Sequence, residues 1–342
     1  MRRYGLCLLL PAATLLQLVA CAGCWNSGSS EVVVYTALDR EFSEPILDDV
    51  AEEAGLRVLS KFDIESTKTV GLVTAIMQEG NRPRCDVFWN NEILHTLRLK
   101  KKGLLRSFEL PSAAKFPAEY RSPEGAWYGF AARARVLLVN RDLVPKDRRP
   151  NSIHDLTDPV WQGRVGIAKP LFGTTATHAA VLFSLWGTDQ AQDYYRRTKE
   201  YAKVLAGNKQ VAIAVGRGQL AFGITDTDDA IIELERGYPV DIIYPDQASG
   251  QMGTLFIPNT VCLIKGSQNP KNAERLLEKI LSAEVEKRLA RSASAQFPLH
   301  TDVQELPRVH QPGVRWLDVD FEAAAERWDE ASVFLRELFA QG

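Results

Sequence analysis

Three acidic residues fall within four positions, Asp226, Asp228 and Asp229, interleaved with Thr225 and Thr227. Carboxylates so close repel one another unless a cation or an ammonium group sits among them. A second cluster has the opposite sense. Gly173, Thr174, Thr175 and Thr177 open an apolar run. A helix starting there offers unpaired N–H groups and a positive dipole end to an anion, and Gly173 lets the backbone approach closely. Three more polar clusters follow apolar runs: Thr36, Ala37 and Asp39; then Glu65, Ser66, Thr67 and Lys68; then Asn90, Asn91 and Glu92. Each alone is an ordinary cap or turn. Together they predict one cleft, because ligands of open α/β sheets bind beyond the carboxyl ends of the strands. An anion cradle facing an acidic mouth suits a cation–anion pair or a zwitterion.

Catalytic chemistry is not expected. No G-x-S-x-G, H-E-x-x-H or G-x-x-x-x-G-K-[ST] motif occurs, and His95, His154, His178, His300 and His310 lack ligand spacing. No resident cofactor is expected either. The 342 residues are 45% hydrophobic and 25% charged, which excludes a disordered chain, a collagen-like fibre and a multi-span membrane protein. A net charge of −2 supplies no global field for nucleic acid. At about 150 residues per domain, the length implies roughly two domains.

Strand-like and helical runs must position these clusters. The pattern predicts strands at 31–35, 56–62 and 86–89, with helices at 43–53, around Val70, Val73, Ile76 and Met77, and at 92–102. Gly55 should end the first helix, and Ser66 or Thr67 should cap the second. This alternation argues for α/β architecture with a mostly parallel sheet flanked by helices. Further strands are expected at 136–140, 164–168, 220–225, 240–244 and 255–264, and helices at 175–185, 189–200, 272–281, 284–291 and 321–339. No long linker splits the chain, so two interleaved lobes are expected. Lobe one takes 31–135 and 240–292; lobe two takes 136–239 and 293–342.

Arg2 and Arg3 precede an apolar run from Leu6 to Val19, the pattern of a secretory signal over 1–20. Leu18-Val19-Ala20-Cys21 resembles the bacterial lipobox, which implies cleavage before Cys21, a lipid on its sulfur and a tether over 21–30. Of the five cysteines, Cys85 and Cys262 remain in the fold. They are expected as buried free thiols, with a bridge permitted by an oxidising compartment.

Several stretches resemble the bacterial extracellular solute-binding proteins of ABC importers, ferric-iron-binding subgroup, with the type II periplasmic binding fold. They are Val32-Val33-Val34-Tyr35-Thr36-Ala37, Cys85-Asp86-Val87-Phe88-Trp89-Asn90, Arg133-Ala134-Arg135-Val136-Leu137-Leu138-Val139-Asn140, Gly218-Gln219-Leu220-Ala221-Phe222-Gly223 and Ile257-Pro258-Asn259-Thr260-Val261. The resemblance spans about 32–298 and implies two lobes closing on a ligand around strands that cross near 131–136 and 240–255. It adds Arg133 to the candidate ligand residues and implies delivery of the ligand to a membrane permease driven by an ATPase. The protein is expected as a monomer at the cell envelope, held to the membrane by its lipid. The departures concern the cargo. Where family members offer adjacent tyrosines this chain has Thr227 and Asp228; a family Glu matches Asn91, with Glu92 beside it; a family His matches Asp39. Tyr194-Tyr195 falls inside a helical pattern, where neighbours do not face one direction. Ferric iron wants oxygen ligands, which Asp39, Glu92, Asp226 and Asp228 can supply. The leading expectation is therefore import of ferric iron, free or chelated. The alternatives are a phosphate-, phosphonate- or carboxylate-bearing solute, such as an aminophosphonate or sugar phosphate, and, from another class, an enzyme or sensor on this scaffold.

Overall fold

A computed structural model describes residues 30–63 and 69–340. The expected signal, Cys21 with its lipid, and Glu65, Ser66, Thr67 and Lys68 lie outside the described residues. In chain order the elements begin β1 (Glu31–Thr36), α1 (Arg40–Ala54), β2 (Arg57–Phe62), α2 (Val70–Glu79), β3 (Val87–Asn90), α3 (Leu94–Lys101), β4 (Leu105–Arg106) and β5 (Tyr128–Asn140). They continue with β6 (Val165–Ala168), α4 (Gly173–Tyr201), β7 (Ala202–Leu205), α5 (Asn208–Gly216), β8 (Phe222–Asp226), α6 (Thr227–Glu235) and β9 (Val240–Ile243). The last are β10 (Phe256–Ile264), α7 (Pro270–Ile280), α8 (Ala283–Arg291) and α9 (Phe321–Phe339).

The sheet order β2-β1-β3-β10-β5-β8-β6-β7 has two halves that share β5. In the first, β1 pairs in parallel with β2 and β3, and β10 runs antiparallel to β3 and β5. In the second, β6 pairs in parallel with β7 and β8, and β5 runs antiparallel to β8 and β9. Each lobe is thus a parallel trio closed by antiparallel strands. All thirteen residues of β5 are buried. Its pairing passes from β10 at Ala134 to β8 at Arg135, so the lobes cross within the expected stretch.

The second crossing corrects one boundary. β9 pairs with Leu137–Asn140 of β5 and so lies in the second half, although 240–292 was expected in lobe one. The tail assigned to lobe two also reaches the first half, where Ala132 and Phe297 exchange backbone hydrogen bonds.

Local sequence explains the elements that frame the cleft. Val32, Val33 and Val34 are β-branched residues in a buried parallel strand. Gly55, at φ 61°, supplies the left-handed residue that ends α1. α2 begins at Val70 after Thr69. The apolar spacing of α7 buries Ala273, Leu276, Leu277 and Ile280. The two helices expected at 175–185 and 189–200 form one run interrupted at Gly187. The first part of α4 is buried throughout from Gly173 to Phe183, and α9, which buries Ala324, Trp328, Ala331 and Leu335, packs against α4 and α3. Tyr194 and Tyr195 are buried inside α4, away from the cleft. Cys85 and Cys262 are buried and unbridged. Among the described residues no helix is long and apolar enough to cross a membrane.

Candidate functional site

The strand ends converge on one cavity between the lobes. The start of α4 forms one wall, with Gly173, Thr174 and Thr175 preceded by Lys169 and Phe172. The start of α6 forms another, with Asp226, Asp228 and Asp229. Asp39, Asn91 and Arg133 come from lobe one and the crossing strand, and Gly207 and Asn208 from the start of α5. The space left for water-sized groups is about 30 Å³, and the cavity opens to solvent on one side.

The α4 start is bare. Phe172 at its N-cap has no polar side chain, and the first turn carries no acidic residue. Among the described residues, the N–H groups of Gly173, Thr174 and Thr175 make no hydrogen bond. Lys169 forms no ion pair there either. Gly173 sits at φ 53°, and a Cβ on it would lie 4.0 Å from Asn91 Nδ2. The Asn91 amide therefore faces the helix start. Three N–H groups and a dipole end face one space, with Lys169 in its wall, which is a cradle for an anion.

The α6 start is loaded with acid. Carboxylate oxygens of Asp226, Asp228 and Asp229 lie within 4.8 Å of one another. Much of that charge is already answered from β5. Residues two apart on a strand share a face, so Arg133 and Arg135 both reach across to β8 and α6. Arg135 Nη1 is 2.6 Å from Asp226 Oδ1, and Arg133 Nη1 is 3.2 Å from Asp228 Oδ2. All four side chains are buried. The cation required by the acidic cluster is thus in large part the protein's own.

Asp226 differs from its neighbours. Its Oδ2 accepts from Thr174 Oγ1 and, at 2.9 Å, from Asn208 Nδ2. Asn208 Nδ2 also lies 2.9 Å from Thr174 Oγ1, and Asn208 Oδ1 accepts from Arg135 and from Thr175 Oγ1, both at 3.0 Å. This network ties the crossing strand to the starts of α4 and α5 and orients the cradle. Behind it, burial and the Arg135 charge push the His178 ring well below its ordinary pKa.

The remaining candidates lie outside the cavity wall. Glu92 is fully buried and turned away: its carboxylate accepts from Asn90 Nδ2, Thr177 Oγ1 and the His95 backbone N–H and lies 3.0 Å from His95 Nδ1. Burial alone would raise its pKa; the His95 ring and these hydrogen bonds outweigh burial and hold it below the ordinary value. The Thr177–Glu92 contact joins the lobes, so Glu92 is a cross-lobe fastener. Thr36 is fully buried, Ala37 lines an outer recess with Asp39, Thr225 Oγ1 donates to Asn208 O, and Thr227 Oγ1 accepts from Ala134 N. The sequence reading missed Asn208, Lys169 and the pairing role of Arg135. The polar Gly207-Asn208 step before apolar Val211, Ala212, Ala214 and Val215 was a legible helix start.

The model of the bacterial extracellular solute-binding protein family matches residues 95–324, more than half of the chain. The chain belongs to that family. Family members bind solutes rather than catalyse reactions. The major ferric iron-binding protein of Neisseria meningitidis is 26% identical over 283 residues, covering 80% of this chain and 82% of that protein. Iron-bound HitA from Pseudomonas aeruginosa has a TM-score of 0.81 at 23% identity, covering 90% of this chain and 99% of that one. AfuA from Actinobacillus pleuropneumoniae, with fructose-6-phosphate bound, has a TM-score of 0.80 at 22% identity, covering 91% and 99%. These structures share the two-lobed fold. This solute-binding protein reaches it with no tyrosine among the described residues of its cavity wall.

Proposed function

We propose that this solute-binding protein captures ferric iron together with a small anion and delivers it to the permease and ATPase of an ABC importer. It would work as a monomer on the outer side of a bacterial membrane, held there by a lipid on Cys21. One observation carries the cargo reading: the bare α4 start and Lys169 face the α6 carboxylates across a space of about 30 Å³. A hard cation takes the oxygens of Asp229 and Asp39, with the Asp228 carboxylate shared with Arg133, and its accompanying anion takes the α4 cradle. The name of the Neisseria relative supports the metal. Because two carboxylates are neutralised by arginine, bare iron is a poorer fit than iron carried with an anion.

The Arg133–Asp228 and Arg135–Asp226 pairs also favour a second reading, an organic phosphate or phosphonate without metal. Its anion would sit in the same cradle, and its hydroxyl or ammonium group would meet Asp229 and Asp39. AfuA, with a sugar phosphate bound, supports that chemistry on this fold.

A thermal-shift titration separates the two. A ligand at 100 Kd stabilises by about 2.7 kcal/mol. Ferric citrate or ferric phosphate should stabilise the protein, and iron should stay bound through ultrafiltration. Among the described residues no tyrosine lines the cavity, so the complex should lack the visible band of an iron–phenolate bond. Stabilisation by fructose 6-phosphate or 2-aminoethylphosphonate, with none by any ferric salt, would replace the first reading with the second.

A further inference from the structure

A second cavity lies behind the α4 start, enclosing about 280 Å³. Its apolar walls include Val73 and Met77 of α2, Phe172 just before α4, and Trp328 of α9. Lobe one thus supplies one side and the second sheet half the other. Phe172 also lines the cargo cavity, so the two spaces share a wall. Polar groups gather at one side. Arg98 and Arg336 both line the space; burial works against the Arg98 charge, the carboxylates of Asp329 and Glu92 support it in part, and Arg336 opposes it. The Arg98 side chain is one-quarter exposed, and its carboxylate neighbour Asp329 is 3.8 Å away and 84% exposed. His95 is oriented too. Its Nδ1 faces Glu92, which leaves Nε2 without a hydrogen bond among the described residues, and its ring meets Trp328 edge-on at 5.9 Å.

Burial beside an apolar cavity costs the Arg98 guanidinium solvation, which an anion between it and Arg336 would return. The lining matches the general character of small-molecule sites, mostly apolar with a few convergent polar groups. We propose that this cavity is a second binding site, for a small carboxylate with a compact apolar body. The carboxylate would lie between Arg98 and Arg336, near His95 Nε2, and the apolar body would pack against Val73, Met77, Phe172 and Trp328. Because the walls come from both lobes, the occupant would brace them together. The site is independent of what the main cavity carries.

The test uses the whole protein with benzoate, its neutral isostere benzamide, and benzylammonium. Benzoate should raise the melting temperature saturably and change Trp328 fluorescence, and the two controls should do neither at equal concentration. Arg98→Gln should weaken benzoate at least tenfold. Arg336→Gln should do the same; its side chain is exposed, so this variant keeps the test open where Arg98→Gln fails to fold. Thr175→Asp, which places a carboxylate in the main cradle, should leave benzoate affinity unchanged. Equal responses to benzoate and benzamide, a response that never saturates, or binding lost in Thr175→Asp and kept in both arginine variants would each overturn the site.

Discussion

Two helix starts face one cavity, and they treat the same electrostatic problem in opposite ways. α4 leaves its N–H groups and dipole unanswered, with Lys169 beside them. α6 answers its own start with Asp228 and Asp229, and the crossing strand then answers those acids with Arg133 and, at Asp226, Arg135. α4 is therefore a socket waiting for charge from outside, whereas α6 is largely compensated from within. The three acids look alike in sequence but do different work. Asp226 spends both oxygens on Arg135, Thr174 and Asn208, so it shapes the cradle. Asp229 is more exposed and sits on the cavity side.

The largest effects should come from breaking the internal compensation. Arg135→Met leaves the Asp226 carboxylate buried without its cation, and such losses cost about 3–5 kcal/mol. Urea unfolding should show that loss at neutral pH. Asp229→Asn should cost less, about 0.3–1 kcal/mol, the range for a partly exposed acid in the first turn of a helix. Equal stability losses in the two variants would erase the distinction between shaping and contacting acids. Next comes conversion of the bare start into the loaded type. Thr175→Asp puts a carboxylate in the first turn of α4, which suits the helix but repels an incoming anion. Cargo affinity should fall about 100-fold, or roughly 2.8 kcal/mol, and the melting temperature of the free protein should fall as well, because Thr175 is buried and its hydroxyl donates to Asn208 Oδ1. Undiminished binding of ferric citrate and of fructose 6-phosphate would show that neither places its anion there.

This contrast was only partly readable beforehand. The polar residues after apolar strands pointed to both helix starts, because strand ends and helix caps leave local signatures. The compensation was not local. Arg135 and Asp226 are 91 positions apart and meet only through the β5–β8 register. Side-chain direction was equally hidden: Asn91 faces Gly173 while its neighbour Glu92 turns to His95 and Thr177. α5 escaped notice because its apolar run is short and flanked by glycines, and Asn208 went with it. The parallel trios and amphipathic α7 were legible because hydrophobic period alone specifies them.

A smaller effect should appear on acidification. His178 packs behind the network, neutral because burial and Arg135 oppose its protonation. The unfolded chain regains a pKa near 6.5 and binds the extra proton. His178 therefore contributes stability that is present above about pH 6.5 and is lost as pH falls toward its lower folded value, by at most about 1.4 kcal/mol per pH unit. His178→Gln should flatten unfolding free energy between about pH 6.5 and pH 5. Parallel curves for the two proteins would place the acid sensitivity elsewhere.

The smallest effect concerns what holds the two starts face to face. Glu41, in the first turn of α1, lies 3.1 Å from Lys209, at the start of α5, so an ion pair spans the mouth between the lobes. Both side chains are partly exposed, and Lys209 is also held charged by Asp39 and Asp229. Exposed pairs contribute about 0.2–1 kcal/mol and weaken with salt. A ligand can favour closure only through tighter binding to the closed state. Glu41→Gln should therefore weaken cargo binding up to about fivefold at low ionic strength, mainly through faster dissociation. The difference from the unmodified protein should vanish by about 1 M salt, where screening acts within about 3 Å. A defect that persists at high salt would mean that Glu41 does more than close the mouth, and the carboxylate side of the cavity would then extend from α6 into α1.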